Sequence, residues 1–445
     1  MSTPLNIPSV KMPSCPNGES ALAEDDVERL RKSTVVKLYV RVSALSYSNS
    51  VSSPVLPYLI VYYGGGAAES GLYQAFNNLF GNLGQVLWGG VGDVSRTRKL
   101  LLFLGALPSL LTPLTLLLTL VFTQGLEPHL VICVSFIATF LGSASAPIIA
   151  PIISELAISS KESLRLFVVH SNLSTLFSIL GNATATLVLQ MFSQNTFQSF
   201  ASLFLIALLS AVLALVTTLS IPQTVIDVRS GERHKSEEHV RIFSKVADSF
   251  TIALRNTKFK DFAFANTVYT FSMSIAWPLF ILTQKNVLNL TPAQITSFSI
   301  ASTIATIASQ YLMGVYLRRR FYRFFTLLNR FGLVIVPLVY AHALNYTQLL
   351  LLNIYTGFLS GFTNIIFPMY IIECAENGKR ATYIGVYNTL IGTASFTGSL
   401  LGGYLSSILI EVLGLSQGLR AAYYICTIAR TSSAILTLKT REYIL

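Results

Sequence analysis

Residues Ser70–Leu120 read SGLYQAFNNLFGNLGQVLWGGVGDVSRTRKLLLFLGALPSLLTPLTLLLTL. Two apolar runs, 70–92 and 99–122, flank a short turn that holds Asp93, Arg96, Arg98 and Lys99. A helix rises about 1.5 Å per residue, so about 20 residues cross the roughly 30 Å of hydrocarbon in a bilayer. Each run is long enough to do so. The stretch is therefore a hairpin of membrane helices turning on a charged loop.

The rest of the chain has the same character. Of 445 residues, 52% are hydrophobic and only 11% are charged, against about 25% charged in a soluble domain. Such a chain lacks the polar groups to face water, and lipid is the solvent that tolerates it. Twelve apolar runs are expected to span: 38–63, 70–92, 99–122, 129–154, 163–191 and 196–221, then 261–284, 293–317, 322–342, 345–371, 380–410 and 418–438. The fold class is all-α and integral to the membrane. The domains are a tail 1–37, a six-helix bundle 38–221, a linker 222–260, a second bundle 261–438 and a tail 439–445.

Charge gives the orientation. Of 31 Lys and Arg, only Lys285 and Arg420 fall in loops opposite the N-terminus. Positive loops stay in the cytoplasm, so both termini are expected there, in a multi-pass protein of the cell membrane. The net charge of +11 thus reflects topology and implies no nucleic-acid partner. The first 36 residues are polar and lack a signal-peptide core. They are expected to be a disordered tail leading into a short amphipathic turn at the membrane surface. Cys15, Cys133, Cys374 and Cys426 form no disulfide framework or zinc pattern, and neither a metal nor a cofactor is expected.

An internal repeat runs through the chain. Pro57-Tyr58-Leu59-Ile60 matches Pro278-Leu279-Phe280-Ile281. Gly89-x-x-x-Asp93 matches Gly314-x-x-x-Arg318. Glu155 and Glu373 end spans 4 and 10, and Arg165 and Arg380 open the helices that follow. Four landmarks recur in one order, which argues for duplication of a six-helix unit. Gly392, Gly398, Gly402 and Gly403 with the Ser and Thr between them form a small-residue face suited to close helix packing.

The loop Gly89-Gly90-Val91-Gly92-Asp93-Val94-Ser95-Arg96-Thr97-Arg98-Lys99 resembles the cytoplasmic signature of the major facilitator superfamily. Gly89, Asp93, Arg98 and Lys99 match it; Val94 and Arg96 depart from it. The resemblance implies two pseudo-symmetric six-helix bundles that rock about a central substrate site. It implies that Asp93 steadies one of the alternating states, against the plainer reading of a helix-ending Asp in a solvated turn. Glu155 with Arg165, and Glu373 with Arg380, resemble the family's acidic–basic latch pairs.

Ionisable residues inside a membrane are expensive and mark function. No Asp or Glu lies deep in any expected span. His170 in span 5 suits a proton relay or a neutral bond within the bundle. Arg41 and Arg330 are expected to snorkel to the cytoplasmic face, and Arg430 either snorkels or meets substrate. The uncharged candidates are Tyr47, Asn49 and Ser53 in span 1, Asn172 in span 5, and Asn266, Tyr269 and Trp277 in span 7. Asn364 in span 10 and Tyr387 and Asn388 in span 11 complete them. Amides and rings suit a neutral or weakly polar organic solute; helix packing is the alternative for each.

The expected function is a secondary transporter of a small organic molecule, with a coupled proton or other ion left open, working as a monomer. A multidrug exporter of the same fold is the alternative, although span 5 lacks the Gly-Pro pair common in exporters. A membrane receptor or sensor is a second alternative, with only short tails and linker to carry a signalling domain. No HExxH, GxSxG or Walker pattern suggests an enzyme or an ATP-driven pump.

Overall fold

A computed structural model describes residues 20–94, 98–222, 250–316, 321–376 and 379–439. The tail up to residue 19, most of the expected linker, the basic cluster 318–320 and the last six residues lie outside the described residues. So does the side chain of Asp93.

Every regular element among the described residues is helical. In chain order they are α1 (Ser20–Ser52), α2 (Leu56–Tyr62), α3 (Ala67–Val94), α4 (Arg98–Thr123), α5 (Pro128–Gly142), α6 (Ala146–Leu156), α7 (Ser160–Met191) and α8 (Thr196–Leu219). There follow α9 (Thr257–Ser274), α10 (Trp277–Leu282), α11 (Pro292–Tyr316), α12 (Tyr322–Gly332), α13 (Ile335–Ala341), α14 (Tyr346–Cys374), α15 (Arg380–Leu413) and α16 (Leu415–Lys439). Among the described residues, eight helical runs are long and apolar enough to cross a membrane. They coincide with the expected spans except at α1 with α2, α3, α11 and α16. Those helices carry more polar residues, and many of these face neighbouring helices. Gln74, Asn77 and Asn78 of α3 line a cavity, while Thr296, Ser297 and Thr306 of α11 bond to α7 or α14.

Several helices are interrupted at proline, which cannot donate to the carbonyl four residues before it. In lipid such a carbonyl needs another donor, and neighbouring helices supply it. Pro278 frees Ser274 O, which accepts from Ser399 Oγ at 3.4 Å. Pro337 frees Leu333 O, where α12 gives way to α13, and Arg430 Nη1 of α16 donates to it at 3.0 Å.

Residues early and late in the chain pack together. α3 lies along α15, with Gly71 against Gly403 and Gly392 against Asn82. Gly398 and Gly402 of α15 meet the backbone of α9 and the turn after it, at Phe271 and Ile275. The small-residue face of α15 is thus where three helices converge. α7 lies along α11, joined by Thr186 Oγ1 and Thr296 Oγ1 at 2.9 Å. Lys285 sits over the rings of Tyr58 and Tyr62 of α2, 5.5 and 5.4 Å from their centres.

Three expectations are corrected. First, α1 begins at Ser20 and is continuous into the expected first span. The mixed charges read as a surface turn stabilise a helix instead: Glu28 and Lys32 pair one turn apart at 2.8 Å. Arg31 ties the helix to Leu156 O and Glu162, each at 3.0 Å. Second, Arg41 and Arg330 do not snorkel. They are 2% and 5% exposed, and their guanidinium groups bond to interior oxygens of neighbouring helices. Third, Glu155 pairs with Arg98 at 2.5 Å, not with Arg165. Arg98 opens α4 beside the end of α6, whereas Arg165 lies on an exposed part of α7.

Candidate functional site: two polar cavities among the helices

A cavity of 640 Å³ lies among α1, α3, α4, α5 and α7, and every lining residue falls between Arg41 and His170. Fifteen of its 25 lining residues carry polar side chains, although apolar atoms make up the larger part of the exposed wall. α1 gives Arg41, Ser46, Asn49 and Ser52; α3 gives Tyr73, Gln74, Asn77 and Asn78; α4 gives Ser109 and Thr112. Thr139 of α5 lines it too, and its Oγ1 donates to Asn77 Oδ1. α7 contributes His170. Among the described residues, no Asp or Glu belongs to the lining.

Arg41 is held from two sides. Its Nε donates to Thr218 Oγ1 of α8 at 3.1 Å, and Nη2 donates to Leu102 O of α4 at 2.9 Å. Nη1 has no protein partner among the described residues. His170 Nε2 is buried and likewise has no protein partner.

A smaller cavity of 190 Å³ is lined by Met273, Trp277, Phe280, Leu333, Val336, Tyr340, four residues of α14 and Arg430. The α14 residues are Leu352, Asn353, Thr356 and Ser360. Arg430 Nη2 donates to Met273 O at 3.0 Å. With its bond to Leu333 O, the guanidinium bridges two helix ends that precede breaks, where carbonyls point outward and the helix dipole is negative.

The structure distributes the expected site residues unevenly. Asn49 and His170 line the larger cavity and Trp277 the smaller. Tyr47 bonds to Thr184 Oγ1 at 3.0 Å and joins α1 to α7. Asn266, 1% exposed, accepts from Arg330, whose guanidinium lies 3.7 Å from the ring centre of Tyr269. Tyr269 in turn donates to Arg330 O at 3.1 Å. These three form a packed cluster between α9 and α12. Asn172 and Asn364 are exposed, and Asn388 and Tyr387 are half-buried on α15. Gly89 lies against Pro147 of α6, 3.5 Å from where a methyl group would reach. Lys99 is half-buried, and Arg165, Glu373 and Arg380 are exposed.

Sequence reading missed Gln74, Asn77 and Asn78, and also Asn353, Thr356 and Ser360. Both sets recur at helical spacing, three or four residues apart or two turns apart. A scan for polar residues sharing one face of an apolar helix finds them.

Long apolar helices around cavities that hold buried polar side chains define a polytopic membrane protein. The chain belongs to the Major Facilitator Superfamily, whose family model matches residues 42–392 and also 262–443. An uncharacterized MFS-type transporter of Methanocaldococcus jannaschii is 25% identical over 141 residues, 32% of this chain. The match spans about a third of that relative's length, 33%. Among solved structures, a mutant of the nucleoside transporter NupG superposes with a TM-score of 0.70 at 16% identity. It covers 93% of this chain and 100% of that one. A proton-dependent oligopeptide transporter gives 0.66 at 11% identity, covering 93% and 98%. A bacterial homologue of the lysosomal transporter Spinster gives 0.61 at 11%, covering 92% and 96%. At such identities these likenesses show the fold alone.

Proposed function

We propose that the protein is a secondary transporter that moves a small organic solute across the cell membrane by alternating access. The observation that carries this reading is the larger cavity, a polar chamber with twenty-five lining residues from Arg41 to His170, set among helices of the membrane-crossing kind. A polar chamber costs free energy in a membrane protein unless it receives something polar. Nucleoside and oligopeptide transporters share the fold, and polar organic solutes of that size suit the chamber.

In this reading the chain makes twelve spans in two six-helix bundles, 38–221 and 261–438, with both termini cytoplasmic. The helix order, the close packing of α3 on α15 and of α7 on α11, and the charge asymmetry of the loops support it. Asn49, His170 and Trp277 contact solute; Tyr47, Asn172, Asn266, Tyr269, Asn364 and Asn388 act through helix packing or in other conformers. Gly89, Asp93, Arg98, Lys99 and Glu155 form the latch at the cytoplasmic end, where Arg98 and Glu155 already meet. Arg165, Glu373 and Arg380 join it in another state. The protein works as a monomer, and His170 is the group available to a coupled proton.

The test is uptake into proteoliposomes holding the purified protein, assayed with a panel of labelled nucleosides, peptides, sugars and organic acids. Saturable flux of at least one solute, weakened by Asn49→Ala, is expected. Absence of saturable flux across the panel, in protein that melts cooperatively, refutes the reading.

A further inference from the structure

The described interior is unbalanced in charge. Its buried residues include Arg41, Arg330 and Arg430 and not one Asp or Glu. All hydrogen bonds of these guanidinium groups end on neutral oxygens: Leu102 O, Thr218 Oγ1, Asn266 Oδ1, Leu333 O and Met273 O. An arginine does not lose its proton in a protein, and a buried charge without an opposite charge costs several kcal/mol. Arg330 gains compensation from the face of Tyr269. Arg41 has no ring contact of that kind. It has an unused Nη1 and a place in the wall of the 640 Å³ cavity, with His170 Nε2 also unpartnered in that wall.

We infer that the transported solute is an organic anion whose acidic oxygens dock on Arg41 Nη1 and His170 Nε2. The inference rests on the transporter reading and narrows its substrate class. Two unpartnered nitrogens lining one cavity, with His170 in its Nε2–H tautomer, suit the two oxygens of a carboxylate or the oxygens of a phosphate, and the charge-assisted bond from arginine is the stronger. Asn49, Gln74, Asn77 and Asn78 then face the neutral remainder of the molecule. Bonds from Arg41 to α4 and α8 hold the guanidinium in place before the anion arrives, which lowers the ordering cost of binding. A purely structural Arg41 accounts for those two bonds but leaves both unpartnered nitrogens on the cavity wall unexplained.

The experiment uses the full-length protein in detergent, with thermal shift and calorimetric titration against matched probes. Succinate and benzoate form the carboxylate arm, glycerol 3-phosphate and inorganic phosphate the phosphate arm, and succinamide and benzamide the neutral arm. At least one acid is expected to bind saturably while its neutral counterpart does not; the arm that responds names the oxyacid. Arg41→Gln is expected to weaken that acid by about tenfold or more, the loss of one charge-assisted bond. His170→Gln should weaken it less, and Arg41→Lys should retain part of the affinity. Should Arg41→Gln fail to fold, the acid-against-amide contrast on the native protein decides. Amides binding as well as acids, acids binding Arg41→Gln unchanged, or no acid binding at all each overturn the inference. If neutral solutes are nevertheless taken up by proteoliposomes, only the inference falls and the transporter reading stands.

Discussion

Replacing Gly403 by alanine tests the packing of α15 on α3 directly. A methyl group at Gly403 would lie 2.7 Å from Ala67 O and 2.9 Å from Gly71 Cα. Both are backbone atoms, so no rotamer change relieves the contact. Ordinary contact begins near 3.4 Å, so the helices must part by roughly half an ångström or more, and gaps of that order forfeit about a quarter of each dispersion well along the interface. Overpacking of this kind costs about 1–3 kcal/mol. Against it stands the helix propensity of alanine over glycine, worth about 0.5–1 kcal/mol. Gly403→Ala should therefore destabilise by about 1–2 kcal/mol. Gly385 lies on the same helix against the same neighbour, yet a methyl group there would sit 3.9 Å from Val86 Cγ2. Gly385→Ala should keep the propensity gain and lose nothing. At about 2–4 °C per kcal/mol for a unit of 150–250 residues, a gap of roughly 2 kcal/mol separates the two variants by about 4–8 °C. The assay is thermal unfolding of the purified variants in one detergent. Gly403→Ala melting at or above Gly385→Ala would refute the argued contact.

Three further outcomes follow from individual contacts. Arg98→Gln and Glu155→Gln should each shift the balance of conformers by about 1 kcal/mol or less, since the pair is partly solvated; in a double-mutant cycle of transport rate the double variant should be no worse than either single one, and independent, additive effects would show that the pair does not act as a unit. Lys285→Gln removes the cation from the rings of Tyr58 and Tyr62 and should weaken that contact by about 0.5–1 kcal/mol, read as a lower melting temperature in detergent; an unchanged melting temperature counts against the contact. Arg430→Lys cannot span both Leu333 O and Met273 O with the fixed fork of a guanidinium, so uptake should fall severalfold while the protein still melts cooperatively. Full uptake in that variant would mean that the bridge between the two helix breaks has no part in transport.

Much of the architecture was legible in one dimension because lipid imposes a one-dimensional rule. A segment that crosses hydrocarbon must be apolar for about 20 residues and must satisfy its own backbone, and both demands are written locally. The runs at 99–122 and 196–221, the turn with Arg98 and Lys99, and the glycine face of α15 could be read that way. The family followed from the same stretch, through Gly89 and Asp93. Partner choice is not local. The resemblance paired Glu155 with Arg165, and the packing of α4 beside α6 gave it Arg98 instead. Arg41 and Arg330 looked able to reach the surface until neighbouring helices closed around them. Arg430 found its role at Leu333 O and Met273 O, 97 and 157 residues away along the chain.

Two things were therefore readable from contiguous residues alone: that lipid is the solvent and that long apolar helices cross it, because each depends on local composition. The tertiary structure alone settled which polar side chains share a cavity, which carbonyls freed by proline are taken and by whom, and that Arg41, Arg330 and Arg430 each keep an unused donor nitrogen among the described residues. Those are properties of surfaces brought together from distant parts of the chain, and a hydrogen bond depends on ångströms between atoms that sequence order does not fix.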